Sequence, residues 1–214
     1  MPSAEPEGED VTEETTRSIL RRYYPERVDA LESYATILRT RGIEWGLLGP
    51  READKIWGRH ISNSLALMDV VGQDVADIGS GAGLPGIPLA LCRDDLRITL
   101  LEPLLRRYNF LLRAVEELDL GERVQVQRLR AEDCDDTFDV VTCRAVASLE
   151  KLLKWTTPMF FPDGELLALK GVGAESEIET ARKRLNDYHM TAQLLHVHAA
   201  PGIEGTRAIR VSVN

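Results

Sequence analysis

The sequence predicts an α/β fold: a mostly parallel, doubly wound sheet of seven strands with an antiparallel hairpin at one edge, preceded by a helical appendage. Three observations predict it. From Val75 onward, short apolar runs alternate with stretches of helical periodicity, as in a parallel sheet joined by crossover helices. The last two β-rich runs follow each other with no helix between them, which makes them an antiparallel pair. The first apolar run also breaks directly into a glycine-rich turn, residues 79–86, that opens a helix.

Taken in order, residues 1–14 are acidic, rich in turn formers, and expected to be a disordered tail. Residues 15–70 form the helical appendage. Ile19, Leu20, Tyr23 and Tyr24 give one apolar face, Pro25 breaks it, and Val28, Leu31, Tyr34, Ala35 and Leu38 recur at helix spacing. Residues 71–214 form the sheet domain. Its strands are expected at 75–78, 97–102, 124–127, 138–143 and 164–170, then at 191–198 and 207–213. Helices are expected from Gly86, along Leu104 to Leu118, after Leu149, and over 175–188.

A chain that is 43% hydrophobic and 29% charged suits a water-soluble fold, and no apolar run is long enough to span a bilayer. Its acidic N-terminus does not resemble an export signal. Cys92, Cys134 and Cys143 are odd in number and lack ligand spacing, so a reducing cytoplasm and no metal site are expected. The net charge of −9 argues against a nucleic-acid partner, but residues 1–14 carry six acids and no Lys or Arg. The body is therefore close to neutral and can present a basic face.

The glycine turn is the strongest motif. In an open α/β sheet, ligands sit beyond the carboxyl ends of the strands, and glycines let them approach the backbone. Gly81, Gly83 and Gly86 also fit the dinucleotide fingerprint. Two details favour S-adenosylmethionine over NAD. Asp77 offers a carboxylate to a ligand carrying an ammonium and a sulfonium. Pro85 and Pro88 remove N–H donors from a helix start that would otherwise hold a pyrophosphate. Glu102, ending the second strand, is placed to accept both ribose hydroxyls, which either ligand has.

Other residues are more open. Glu132, after the third strand, is placed to meet an adenine amino group, but Asp133, Asp135 and Asp136 beside it also fit a solvated surface. Arg144 and Lys170 end the fourth and fifth strands, where both a substrate contact and a surface ion pair fit. Arg106, Arg107, Arg113, Lys151, Lys154, Arg182, Lys183 and Arg184 would hold phosphates if several shared one face. Singly, each reads as a solvated helix residue. His189, His196 and His198 do not complete a metal set.

Residues 57–65 (Trp-Gly-Arg-His-Ile-Ser-Asn-Ser-Leu) and 77–88 (Asp-Ile-Gly-Ser-Gly-Ala-Gly-Leu-Pro-Gly-Ile-Pro) resemble the bacterial small-subunit methyltransferase G family, also called the glucose-inhibited division protein B family. The resemblance continues through residues 100–102, 107–111, 130–132, 144–147 and 168–171. It implies a class I methyltransferase (Rossmann-like) fold. It implies S-adenosylmethionine-dependent methylation of guanine N7 in 16S ribosomal RNA near the decoding site, within the small ribosomal subunit, with S-adenosylhomocysteine as product. Gly79, Leu84, Ala131, Glu132 and Arg144 match the family's cofactor positions, and Arg59 and His60 its Arg-His pair near the active site. A monomer is expected.

Guanine N7 carries a lone pair and no proton, so its methylation needs alignment and no general base. Arg144, Lys170, His60 and Arg59 are the candidates for holding the guanine or its phosphates. Rival chemistries find less support. No Asn/Asp-Pro-Pro-aromatic run marks an amino-group methyltransferase, and Cys143 lacks the companions of a cytosine-C5 nucleophile. Another RNA position, or a non-catalytic nucleotide- or RNA-binding module, remains the alternative.

Overall fold

The computed structural model describes residues 12–213, so most of the predicted acidic tail lies outside the described residues. Helix α1 (Glu13–Tyr23) begins two residues before the expected boundary. Thr12 caps it by accepting the Thr15 N–H, and two acids occupy its first turn, where they oppose the helix dipole. Pro25 ends this helix region and α2 (Val28–Ile37) follows, burying Leu31, Tyr34 and Ala35. A 3₁₀ turn (Pro50–Lys55) and a π-helical turn (Ile56–Ile61) then lead into the short α3 (Ser62–Leu65).

The sheet comprises β1 (Asp74–Ile78), β2 (Arg97–Leu101), β3 (Val124–Gln127), β4 (Val140–Arg144), β5 (Glu165–Lys170), β6 (Met190–Val197) and β7 (Thr206–Val213). Its order is β3-β2-β1-β4-β5-β7-β6. The first five strands are parallel, and β7 joins β5 and β6 antiparallel. The predicted edge hairpin is therefore present, with β7 inserted between β5 and β6. The crossover helices are α4 (Gly86–Cys92), α5 (Leu105–Glu117), α6 (Leu149–Phe160) and α7 (Ala174–Asp187).

Strand alternation divides the core in two. Val75, Ile98, Leu100, Val140 and Leu167 face α4, α5 and the N-terminal helices. Ala76, Ile78, Val141, Cys143 and Leu166 face α6 and α7. The appendage is thus continuous with one core layer. Among the described residues no helix is long and apolar enough to cross a membrane.

Candidate active site

The strand order reverses between β1 and β4, and the crevice of a doubly wound sheet opens at such a point. Register sets its floor. Ile78 pairs with Leu101 on one side and Cys143 on the other. The next residue on each strand is Gly79, Glu102 and Arg144, so three predicted site residues leave the sheet at one level. On β5, Leu169 pairs with Arg144, which places Lys170 one step further along.

The glycine turn is shaped as much by its own packing as by a ligand. Gly79, Gly81 and Gly83 all have positive φ. A Cβ on Gly79 would lie 2.8 Å from a Val146 methyl, and one on Gly83 would lie 2.3 Å from Ile87. At these two positions the missing side chain makes room for protein. At Gly81 the nearest atom to such a Cβ is 3.8 Å away, so this glycine alone fits the ligand-approach argument. Leu84 is buried behind the turn.

Asp77 is also more than a ligand carboxylate. It is fully buried, and its Oδ2 accepts the Gly86 N–H at 3.0 Å. Burial pushes its pKa up to about 7, against the Gly86 bond and the Arg144 charge. Its Oδ1 is buried with no partner, an orphaned acceptor that a cation would satisfy. The remaining donors at the start of α4 are committed: the Ile87 N–H bonds Gly83 O at 2.8 Å, and Pro88 has none. No N–H is left there for a pyrophosphate, as the two prolines suggested.

Glu102 is buried at the end of β2. Its Oε2 accepts the Gly81 N–H at 3.1 Å and its Oε1 the Leu104 N–H at 2.9 Å. Each oxygen keeps a lone pair, enough for a ribose diol. Ala131 and Glu132 lie on a 3₁₀ turn after β3, with Glu132 exposed.

Arg59, His60, Asn63, Arg144, Lys170 and the loop 145–148 line a cleft of 770 Å³. Arg144 is largely buried, and desolvation lowers its pKa. It forms no ion pair among the described residues; its hydrogen-bond partner is His60 Nδ1, at 2.8 Å. His60 is itself buried, and its pKa falls to about 4 through burial and the Arg144 and Arg59 charges, with Glu52 opposing. Glu52 Oε2 stands 2.9 Å from His60 Nε2 and 3.2 Å from Arg59 Nη1. Ala145, just after Arg144, has φ +56°, a strained conformation for a side-chain-bearing residue that turns the chain toward the glycine turn.

Lys170 does not project freely into the cleft. Its Nζ donates to Ala147 O and to Glu177 Oε2, both at 2.7 Å, while the same Glu177 oxygen accepts the Leu149 N–H. The pair holds the 145–148 loop, whose Val146 covers Gly79. Its first task is therefore structural, with one N–H left for a substrate. Lys170→Met is expected to cost about 2–3 kcal/mol by leaving Ala147 O without a donor and Glu177 without its cationic partner. Urea unfolding reads this, and an unchanged midpoint would refute it.

Two residues that shape the site gave no sequence signal for that role. Tyr34, from α2, donates from its buried hydroxyl to Ala82 O at 2.7 Å, tying the appendage to the glycine turn. Glu13, inside the expected tail, accepts from the Trp57 N–H at 2.9 Å and the Gly58 N–H at 2.6 Å. It caps the turn that carries Arg59 and His60. Glu13→Ala should destabilise the protein by about 1–2 kcal/mol and raise hydrogen exchange at those two amides. Unaltered exchange there would contradict the capping role.

The other candidates resolve plainly. Cys143 is buried, which pushes its thiol up to about 12, unsuited to a nucleophile. Trp57 is core. Arg182, Lys183 and Arg184 pair with Glu179, Asp187 and Glu150 on α7 and α6, a solvated face. Arg113 stacks on Trp45, 5.1 Å from the ring centre. Arg107 lies 3.9 Å from Glu102.

Comparison with known proteins identifies the fold and the family. A solved precorrin-6y C5,15-methyltransferase from Geobacter metallireducens shares the fold at a TM-score of 0.53 and 14% identity, over 79% of this chain and 91% of that one. An O-methyltransferase of neocarzinostatin biosynthesis, solved with S-adenosylmethionine, matches at a TM-score of 0.53 and 16% identity, over 65% of this chain and 48% of that one. Relatives named ribosomal RNA small subunit methyltransferase G are much closer in sequence. That of Mycolicibacterium smegmatis is 54% identical over 75% of this chain and 70% of its own length. That of Kineococcus radiotolerans is 43% identical over 97% of this chain and 89% of its own. The family model described as GidB, rRNA small subunit methyltransferase G, matches residues 27–203. The fold is that of a class I methyltransferase, and the chain belongs to the rRNA small subunit methyltransferase G family.

Proposed function

We propose that this protein methylates N7 of a guanine in 16S ribosomal RNA near the decoding site, using S-adenosylmethionine and releasing S-adenosylhomocysteine. It would act in the cytoplasm, as a monomer, on RNA within the small ribosomal subunit. The observation that carries this reading is Arg144: a largely buried guanidinium with no counter-ion among the described residues, lining a cleft beside the glycine turn. A buried charge left in that state calls for an electron-rich ligand. A guanine edge or an RNA phosphate supplies one.

The cleft also lacks a free general base among the described residues. His60 presents Nδ1 to Arg144, and Glu177 is held by Lys170 and the Leu149 N–H. N7 requires none, because its lone pair attacks without loss of a proton. Amino-group, hydroxyl and cytosine-C5 methylation each need a proton removed at some stage. The buried, high-pKa thiol of Cys143 argues further against the last.

The residues around the turn fit S-adenosylmethionine. Glu102 would hold the ribose hydroxyls, Ala131 and Glu132 the adenine, and Gly79, Gly81, Gly83 and Leu84 the walls between. The free Oδ1 of Asp77 would meet the ammonium group. When bound, the cofactor supplies a methyl group on a positively charged sulfur. Arg144, with Arg59 and His60, would orient the base while the 145–148 loop keeps water from the cleft.

The test is to map 7-methylguanosine in small-subunit RNA with and without this protein. A guanine modified only in its presence supports the reading. Methylation at another atom would move the chemistry elsewhere. Cofactor binding without transfer to either subunits or naked RNA would mark a non-catalytic module. A thermal-shift comparison of S-adenosylmethionine with NAD checks the cofactor separately.

A further inference from the structure

No motif singles out Glu52, yet it contacts Arg59 directly and is linked to Arg144 through His60. It sits on the Pro50–Lys55 turn, away from the sheet. Its carboxylate reaches Arg59 Nη1 at 3.2 Å, Lys55 Nζ at 3.5 Å and His60 Nε2 at 2.9 Å. On the far side of the imidazole, His60 Nδ1 meets Arg144 Nη1 at 2.8 Å. Glu52, His60 and Arg144 form one chain from the appendage to the end of β4.

The protons in that chain can be assigned. A guanidinium only donates, so His60 Nδ1 must accept and carries no hydrogen. The neutral ring's proton then sits on Nε2. That nitrogen is buried and finds no aligned acceptor; Glu52 Oε2 is at bonding distance but off the N–H axis. The charged groups facing the ring are Glu52, Arg59 and Arg144; burial and the two arginine charges keep it neutral at physiological pH, against the opposing pull of Glu52.

The imidazole acts as a spacer. A carboxylate placed directly on Arg144 would orient it but also cancel its charge. A neutral ring passes on the orientation and leaves the charge available to a ligand. The Glu52 charge is balanced elsewhere, by Arg59 and Lys55; these partners prevail over its partial burial and hold its pKa down.

We propose that Glu52 is a positioning residue of the methyl-transfer site: it holds the Nε2–H tautomer of His60, whose Nδ1 aims the Arg144 guanidinium into the cleft. The proposal rests on the cleft being the RNA site.

The test uses the full-length protein and three variants, Glu52→Ala, Glu52→Gln and His60→Asn. Nitrogen-15 spectra of the wild-type imidazole should show a single Nε2–H tautomer, and Glu52→Ala should show a mixture. Methyl transfer to isolated small subunits should fall about tenfold or more in Glu52→Ala, with the thermal midpoint nearly unchanged. Glu52→Gln keeps an acceptor oxygen and should recover to within about threefold of wild type. His60→Asn offers Arg144 an oxygen in place of Nδ1 but cannot reach Glu52. Replacing Glu52 by Ala in that background should therefore have little further effect.

A wild-type Nδ1–H tautomer would overturn the proposal. So would wild-type turnover in Glu52→Ala, or equal losses in the Ala and Gln variants. The tautomer is read on the protein alone. Absence of methyl transfer by the wild type would therefore count against the RNA substrate, and the spectra would still decide what Glu52 does.

Discussion

Replacing Arg144 by alanine is expected to lower kcat/KM for methyl transfer to small subunits by about 100- to 1000-fold, the scale of losing one preorganised electrostatic contact. The side chain lies largely out of water, so its field is weakly screened. It lacks a counter-ion among the described residues, so its removal costs the folded protein little. Stability of Arg144→Ala should be close to that of wild type, or slightly higher, because a buried unpaired charge is lost. Arg144→Lys should recover only part of the activity. An ammonium keeps the charge but cannot bond His60 and a substrate through one rigid plane. Steady-state kinetics alongside urea unfolding separates these effects. Wild-type kcat/KM in Arg144→Ala would remove the residue from the site.

Asp77→Asn should stabilise the ligand-free protein at neutral and alkaline pH while weakening its hold on S-adenosylmethionine. The sign follows from linkage. Burial lifts the Asp77 pKa from an ordinary 3.8 to about 7. Between these values the folded state keeps a proton that the unfolded chain releases. This residue's contribution to stability is therefore greatest below pH 4. It declines as pH rises toward 7 and is constant above, where the charged, half-satisfied carboxylate costs about 2–4 kcal/mol. Asparagine preserves the shape and can still accept the Gly86 N–H, without ionising. The difference between variant and wild-type stability should grow in favour of the variant from pH 4 to pH 7. A difference that is flat with pH would show that Asp77 does not titrate in this window.

Binding should move the other way. A cation against the free Oδ1 favours the ionised form, so wild-type affinity for the cofactor should rise between pH 6 and pH 8. In Asp77→Asn it should be about tenfold or more weaker and lose this pH dependence. Isothermal titration calorimetry in two buffers of different ionisation enthalpy would report the linked proton. Equal affinities in the two proteins would place the ammonium elsewhere.

The sequence alone determined the fold class, the strand and helix order, and the position of the glycine turn. These features are written in local patterns: alternation every two residues, helical spacing, and turn chemistry at 79–86. Strand ends were legible to within a residue or two. Glu102 and Arg144 could be singled out because each ends a strand, and parallel register then brings strand ends together. The choice against a pyrophosphate was legible for the same reason, since Pro85 and Pro88 show directly where donors are missing.

Only the tertiary structure decided how those residues are held. Arg144 meets His60 across 84 positions, Tyr34 meets Ala82 across 48, and Glu13 reaches Trp57 across 44. No periodic signal spans such distances. Glu13 read as part of an acidic tail, and Lys170 as open between a substrate contact and a surface ion pair, because composition and spacing cannot show which oppositely charged group lies opposite. Even the glycines changed meaning: Gly79 and Gly83 give space to Val146 and Ile87, and Gly81 alone stands open. Local chemistry is encoded along the chain and can be read there. The burial that shifts Asp77 and His60, and the partners that fix Arg144, arise only when segments far apart in sequence exclude water together.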